Sequence, residues 1–257
     1  MPTLGSRGIL LLRVSAAVAV VIGAKFVAHS LGWEVISLNP LFSGLIAANV
    51  FLMGFLLSGV LSDYKESERM PGELAAGLEN LAQDVRGIKV AKPEAQVETC
   101  LAQVAALGRA FLEWFYKRET TDGMLERLNE LTVHFAALEP WTQANLIARL
   151  KQEQGNLRRL LVRIHTIRET SFIASGYLIA DATTFLLCLG LVLIRIDPFY
   201  EALFLSGLIT FLLVFLRTLI RDLDNPFGYY ERASGEDVSL KPFEDAVARV
   251  EALGRQG

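Results

Sequence analysis

The chain has 257 residues, 52% of them apolar and 21% charged. That is too apolar for an ordinary soluble domain and too charged to lie wholly in lipid, which leaves a mixed membrane and aqueous protein. The net charge is −3, and no basic block is interleaved with aromatics, so nucleic acid is excluded as a partner.

The first apolar run covers residues 9–33, with Arg13 near its start and Lys25 and His29 near its end. It is long and lacks a clear small-residue cleavage site, which favours a membrane helix over a cleaved leader. Its end charges are expected to snorkel toward the interfaces, and Trp33 marks the far interface. The second run, 41–62, carries no charged residue and is long enough to span about 30 Å of hydrocarbon. The short link between the two predicts an antiparallel hairpin.

The second run turns abruptly charged at Asp63, with Lys65, Glu66, Glu68 and Arg69 close behind. No proline lies between Pro40 and Pro71, so one helix can leave the bilayer and continue into water. Ala47, Phe51 and Phe55 fall at spacing four and share one face of that helix. Around an axis of several copies, that face would build a stack of apolar rings. The plain alternative is that Phe51 and Phe55 pack against neighbouring helices. Gly54 and Gly59 permit close helix contact. Asn49 is expected to make an interhelical hydrogen bond, and the charges from Asp63 to Arg69 read as a solvated helix exit or, less simply, a selectivity ring of Asp63 and Glu66.

The middle, 64–170, mixes acids and bases over apolar positions of helical period. Leu101, Val104, Leu107, Phe111 and Trp114 form one stripe; Leu146, Leu150, Leu157, Leu161 and Ile164 form another. About three helices are expected, with Pro93 and Pro140 at helix starts and residues 120–123 as a turn. The last helix has no breaker except Gly155 before the next membrane run.

The third run, 171–196, is apolar apart from Asp181 and some hydroxyls, and Asp197 with Pro198 breaks it. Asp181 is the only carboxylate well inside a predicted span. It is either functional, or it sits at the cytosolic mouth or pairs with Lys25, Arg13 or a hydroxyl such as that of Thr183. The fourth run, 202–216, ends at Arg217 and Arg221. An amphipathic stretch at 242–253 closes the chain. Arg7 precedes the first run and Arg13 lies near its start, and Arg217 and Arg221 follow the fourth, whereas the loops between carry only Arg195. The positive-inside rule therefore puts both termini and the middle in the cytoplasm. The expected domains are a first transmembrane hairpin (1–66), a cytosolic helical domain (67–170), a second hairpin (171–221) and a cytosolic tail (222–257).

Cys100 and Cys188 lie in unlike settings and read as reduced thiols. The histidines and cysteines have no metal-ligand spacing, and there is no phosphate loop, nucleophile elbow or HExxH. Neither a metal nor a cofactor nor an enzymatic activity is expected.

Two motifs in this layout resemble the bestrophin anion-channel family. Phe51-Leu52-Met53-Gly54-Phe55 is similar to the second membrane helix of bestrophins, whose Gly-Phe pair sits in an apolar pore neck. Asp224-Asn225-Pro226-Phe227-Gly228 is similar to the signature that follows their fourth membrane helix. Leu240-Lys241-Pro242-Phe243-Glu244-Asp245 resembles the short acidic helix beyond that signature in bacterial members. The resemblance implies an all-α protein with four transmembrane helices and a cytosolic helical bundle, assembled as a homopentamer in a lipid bilayer. It implies passive conduction of inorganic ions, chloride-like anions favoured, through a neck lined by Ala47, Phe51 and Phe55. A bacterial inner membrane is the expected location. The residues after the signature, Tyr229, Tyr230, Glu231 and Arg232, offer one carboxylate where animal bestrophins have an acidic calcium-binding cluster. Asp63 and Glu66 are acidic where family members are often basic or neutral, which leaves cations open as permeant ions. A non-conducting membrane scaffold and an ion-coupled transporter built on Asp181 are the other classes; no inverted repeat supports the second.

Overall fold

The computed structural model describes residues 4–170, 174–230 and 237–255. In chain order the elements are α1 (Leu4–Ser30), β1 (Ile36–Ser37), α2 (Pro40–Ser67), α3 (Met70–Ala91) and α4 (Glu98–Phe115). They continue as α5 (Thr121–Leu138), a 3-10 turn (Glu139–Trp141), α6 (Ala144–Glu169) and α7 (Ala174–Leu193). β2 (Ile194–Arg195), α8 (Phe199–Leu223) and α9 (Lys241–Arg255) complete them. The fold is all-α apart from the two short strands, which pair in parallel, Ile36 with Ile194 and Ser37 with Arg195.

The chain forms two compact units. The first comprises Met1–Tyr64, Ser171–Pro226 and Ala233–Asp237. It contains four helices long and apolar enough to cross a membrane, α1, α2, α7 and α8. This is an integral membrane protein. The expected hairpin of the first two runs is not the main packing: α1 lies along α8 and α7. The reason is the strand pair, which ties the end of α1 to the α7–α8 link rather than folding it back on α2. α2 instead buries Met53, Leu56 and Val60 against Ala180 and Leu187 of α7 and Leu213 and Ile220 of α8. The close approaches also differ from expectation. A Cβ at Gly54 would meet nothing within the chain, whereas one at Gly190 would lie 2.6 Å from the Phe42 ring.

The second unit comprises Lys65–Thr170, Phe227–Arg232 and Val238–Gly257. Its core contains Leu101, Val104, Leu107, Phe111 and Trp114 of α4, all buried. From α6 come Leu150, Leu157, Leu161 and Ile164, while Leu146 is only half-buried and Ile147 takes the inward position. The segment holds four α-helices rather than three, because the prolines act in the links. Pro93 lies in the link after α3, Pro140 sits in the 3-10 turn, and Pro71 opens α3. Residues 120–123 start a helix instead of making a free turn: the Thr120 hydroxyl accepts the Gly123 N–H at 3.0 Å and caps α5. α6 ends at Glu169 with Thr170 extended; residues 171–173, where continuity with α7 was expected, lie outside the described residues.

α9 packs on α3 and α4. Its Phe243 meets Phe111 edge-on at 5.8 Å, and Gly108 keeps α4 close enough to touch Leu78 and Val247. Both cysteines are free. Burial pushes the Cys100 thiol up to about 12. Little of Cys100 is therefore thiolate at ordinary pH. Native protein treated with iodoacetamide is expected to keep Cys100 unmodified, and denatured protein to alkylate it. Peptide mass mapping reads the difference; native alkylation at the rate of a free thiol would contradict this burial.

Candidate functional site

The two faces of α2 differ in what covers them. Its inner face carries the buried residues named above and also Asn49, which is 3% exposed. The Asn49 amide donates to Thr184 Oγ1 at 3.3 Å, and its carbonyl oxygen accepts from the Thr183 hydroxyl at 2.6 Å. Asn49 thus joins α2 to α7, as expected from its place in an apolar run. The opposite face is uncovered within the chain. Phe51 is 78% exposed and Phe55 59%, and Ala47 on the same stripe is exposed too. Ser58 and Ser62 extend that exposed face by two further turns. The spacing 51, 55, 58, 62 is helical, so both hydroxyls belong to this face by period alone.

Asp63 and Glu66 follow at the end of α2. Asp63 is half-buried in the first unit. Glu66, in the second, is gripped by Arg163, whose Nε and Nη2 donate to its two carboxylate oxygens at 2.9 and 2.6 Å. The Glu66 charge is therefore balanced within one chain.

Asp181 does not pair with Lys25, Arg13 or Thr183. Arg217 grips it with both ends of its guanidinium, Nη2 to Oδ2 at 2.8 Å, and Arg221 Nη2 stands 3.6 Å from the same oxygen. The antiparallel run of α7 and α8 brings these residues to one level. Thr183 spends its hydroxyl on Asn49 and on the carbonyls of α7.

At the other end of the unit the charges are locked inside. Lys25 does not snorkel; it is fully buried. Its ammonium pairs with Glu34 at 2.7 Å and donates to the Ile194 carbonyl. His29 Nδ1 lies 2.8 Å from the other Glu34 oxygen, and its ring stacks on Phe199 at 3.8 Å. Burial pushes the Glu34 carboxyl up, but hydrogen bonds from Lys25 and His29 outweigh it and hold the group below its ordinary value. No signal in the sequence pointed to Glu34.

The signature residues divide between the units. Asp224 ends α8, its N–H bonding the Ile220 carbonyl at 3.1 Å, and lies beside Tyr177. Asn225 is half-buried and Pro226 buried. Phe227 and Gly228 are buried in the second unit, Phe227 with Phe115 at 5.8 Å. Among the described residues no set of His, Cys, Asp and Glu is arranged to hold a metal. Glu231 and Arg232 lie outside the described residues.

No family model and no curated protein matches the chain. Solved structures do. A tyrosine-to-alanine variant of a bacterial bestrophin homolog from Klebsiella pneumoniae superposes with a TM-score of 0.76 at 19% identity, over 96% of this chain and 98% of that one. A tryptophan-to-alanine variant of the homolog gives 0.82 at 16%, over the same shares. The chain has the bestrophin fold. A third structure, described as a membrane protein with a proline-to-alanine change, gives 0.76 at 18% over 95% of this chain and 97% of that one. The likeness covers nearly the whole chain and is reached with few shared residues.

Proposed function

We propose that the chain assembles as a homopentamer around an axial pore and passes inorganic ions down their electrochemical gradient. The observation that carries this is the uncovered apolar face of α2, Ala47, Phe51 and Phe55, on a bestrophin fold. Five copies of that face form a narrow neck that sheds water readily and so sets permeability. Chloride-like anions are the favoured species: Glu66 is balanced by Arg163, which weakens the acidic ring that would otherwise favour cations. Both termini and the second unit lie in the cytosol of a bacterium, and the first unit spans its inner membrane. A transporter working through a lone intramembrane acid is disfavoured, because Asp181 is committed to Arg217. The test is flux into liposomes carrying the purified chain under chloride and potassium gradients, with the oligomer mass measured in parallel. Pentamers that conduct are expected. Folded oligomers that stay silent under every gradient would leave a membrane scaffold instead.

A further inference from the structure

Asn49 fixes which side of α2 turns inward. Its side chain bonds Thr183 and Thr184 of α7, and Met53, Leu56 and Val60 follow it into the same packing. The outward side carries Ala47, Phe51, Phe55, Ser58 and Ser62, all exposed. At about 100° per residue, Ser58 and Ser62 both point within about 20° of the direction of Phe51. They lie about 10.5 and 16.5 Å further along the helix axis.

Both hydroxyls are available to a ligand. Among the described residues neither Ser58 nor Ser62 has a hydrogen-bond partner. Thr183 and Thr218 on the neighbouring spans instead bond back to the carbonyls of Ile179 and Val214. From Ala47 to Ser62 the helix carries no charged residue, so its outward side offers an ion side-chain dipoles only. Asp63 is not part of that side. It sits about 100° round the helix from Ser62, is half-buried and lies near Tyr177 of α7. Beyond it Lys65 is exposed and Glu66 is held by Arg163.

We propose that the Ser58 and Ser62 hydroxyls form two rings of neutral donors at the C-terminal side of the Phe51–Phe55 neck, where they replace part of the hydration shell of a permeating halide. This rests on the axial-pore reading above. An ion entering an apolar neck must shed water first, and an O–H group aimed at it returns some of the lost hydrogen bonding. Chloride, the more strongly hydrated halide, gains more from such donors than iodide does. The two serines thus set how well chloride competes with less hydrated anions.

The test is halide uptake by liposomes carrying the purified full chain, with chloride and iodide measured in turn. Ser58→Ala/Ser62→Ala keeps the width of the bore and removes the donors. It is expected to lower chloride flux about fivefold, the weight of one net hydrogen bond, and iodide flux less than about twofold. Ser58→Thr/Ser62→Thr, which keeps the hydroxyls, should hold the wild-type iodide-to-chloride ratio within about twofold. The ratio is the readout, because a general loss of folding or insertion lowers both fluxes alike. A conducting double alanine variant with the wild-type ratio would overturn the rings and leave the pore standing. A wild-type chain silent to both halides would overturn the pore reading and the rings with it. Passage of potassium with neither halide would overturn the halide assignment.

Discussion

Phe51→Ala/Phe55→Ala is expected to raise ion flux about tenfold, equivalent to about 1.4 kcal/mol off the permeation barrier. The rings are 78% and 59% exposed, so trimming them removes little packing within one chain. The fold should survive, and the change should fall on the bore. Ala for Phe widens the neck at two successive levels and weakens its tendency to shed water. Flux in liposomes reads the effect, with thermal unfolding as the control on folding. An unchanged flux from a stable double variant would move both rings to the lipid side of α2.

The second large effect lies at Lys25. A fully buried ammonium with one carboxylate partner is costly to break from either side, because the survivor is left uncompensated. Lys25→Met is expected to cost about 3 kcal/mol of stability, a fall of about 6–12 °C in the unfolding midpoint. Adding Glu34→Gln should recover most of the loss, since removing both charges leaves no orphan. Equal loss in the single and double variants would mean that packing, not charge, is what Lys25 contributes. The pair also fixes a pH direction. Glu34 is held below its ordinary value of 4.5, so its contribution is present above about pH 4.5 and drains away as pH falls below it. Wild type should therefore lose stability in that acid range and Glu34→Gln should lose much less, as followed by unfolding midpoints from pH 3 to 7.

What the sequence made legible was what repeats. The α4 stripe from Leu101 to Trp114 is buried throughout, because helical period is a local property. The four apolar spans were visible for the same reason. Asn49 could be assigned a hydrogen bond because an amide in an apolar run needs one, though only the fold supplied Thr183 and Thr184 as its partners. What failed depended on distant residues. Lys25 looked like an interfacial charge, since its partners are Glu34 in a loop and Ile194 in β2, far along the chain. The hairpin of α1 and α2 followed from a short link, but the Ile36–Ile194 pairing sends α1 to α7 and α8. Asp181 had a readable clue that went unused. α7 and α8 flank a tight link, so a residue sixteen before Asp197 meets one about twenty after it. Residues such as Pro93 and Pro140 mark breaks without saying on which side the next helix begins.

The central claim is that the uncovered face of α2 meets water rather than lipid. Cysteine accessibility tests it most directly. In a Cys188→Ser background, Ala47→Cys and Phe51→Cys are placed on that face, and Phe204→Cys on an exposed part of α8. Reconstituted protein is exposed to a membrane-impermeant methanethiosulfonate. Modification of the α2 cysteines with a matching change in flux, and none at position 204, is the predicted result. Protection of both α2 cysteines in a conducting preparation would contradict the account.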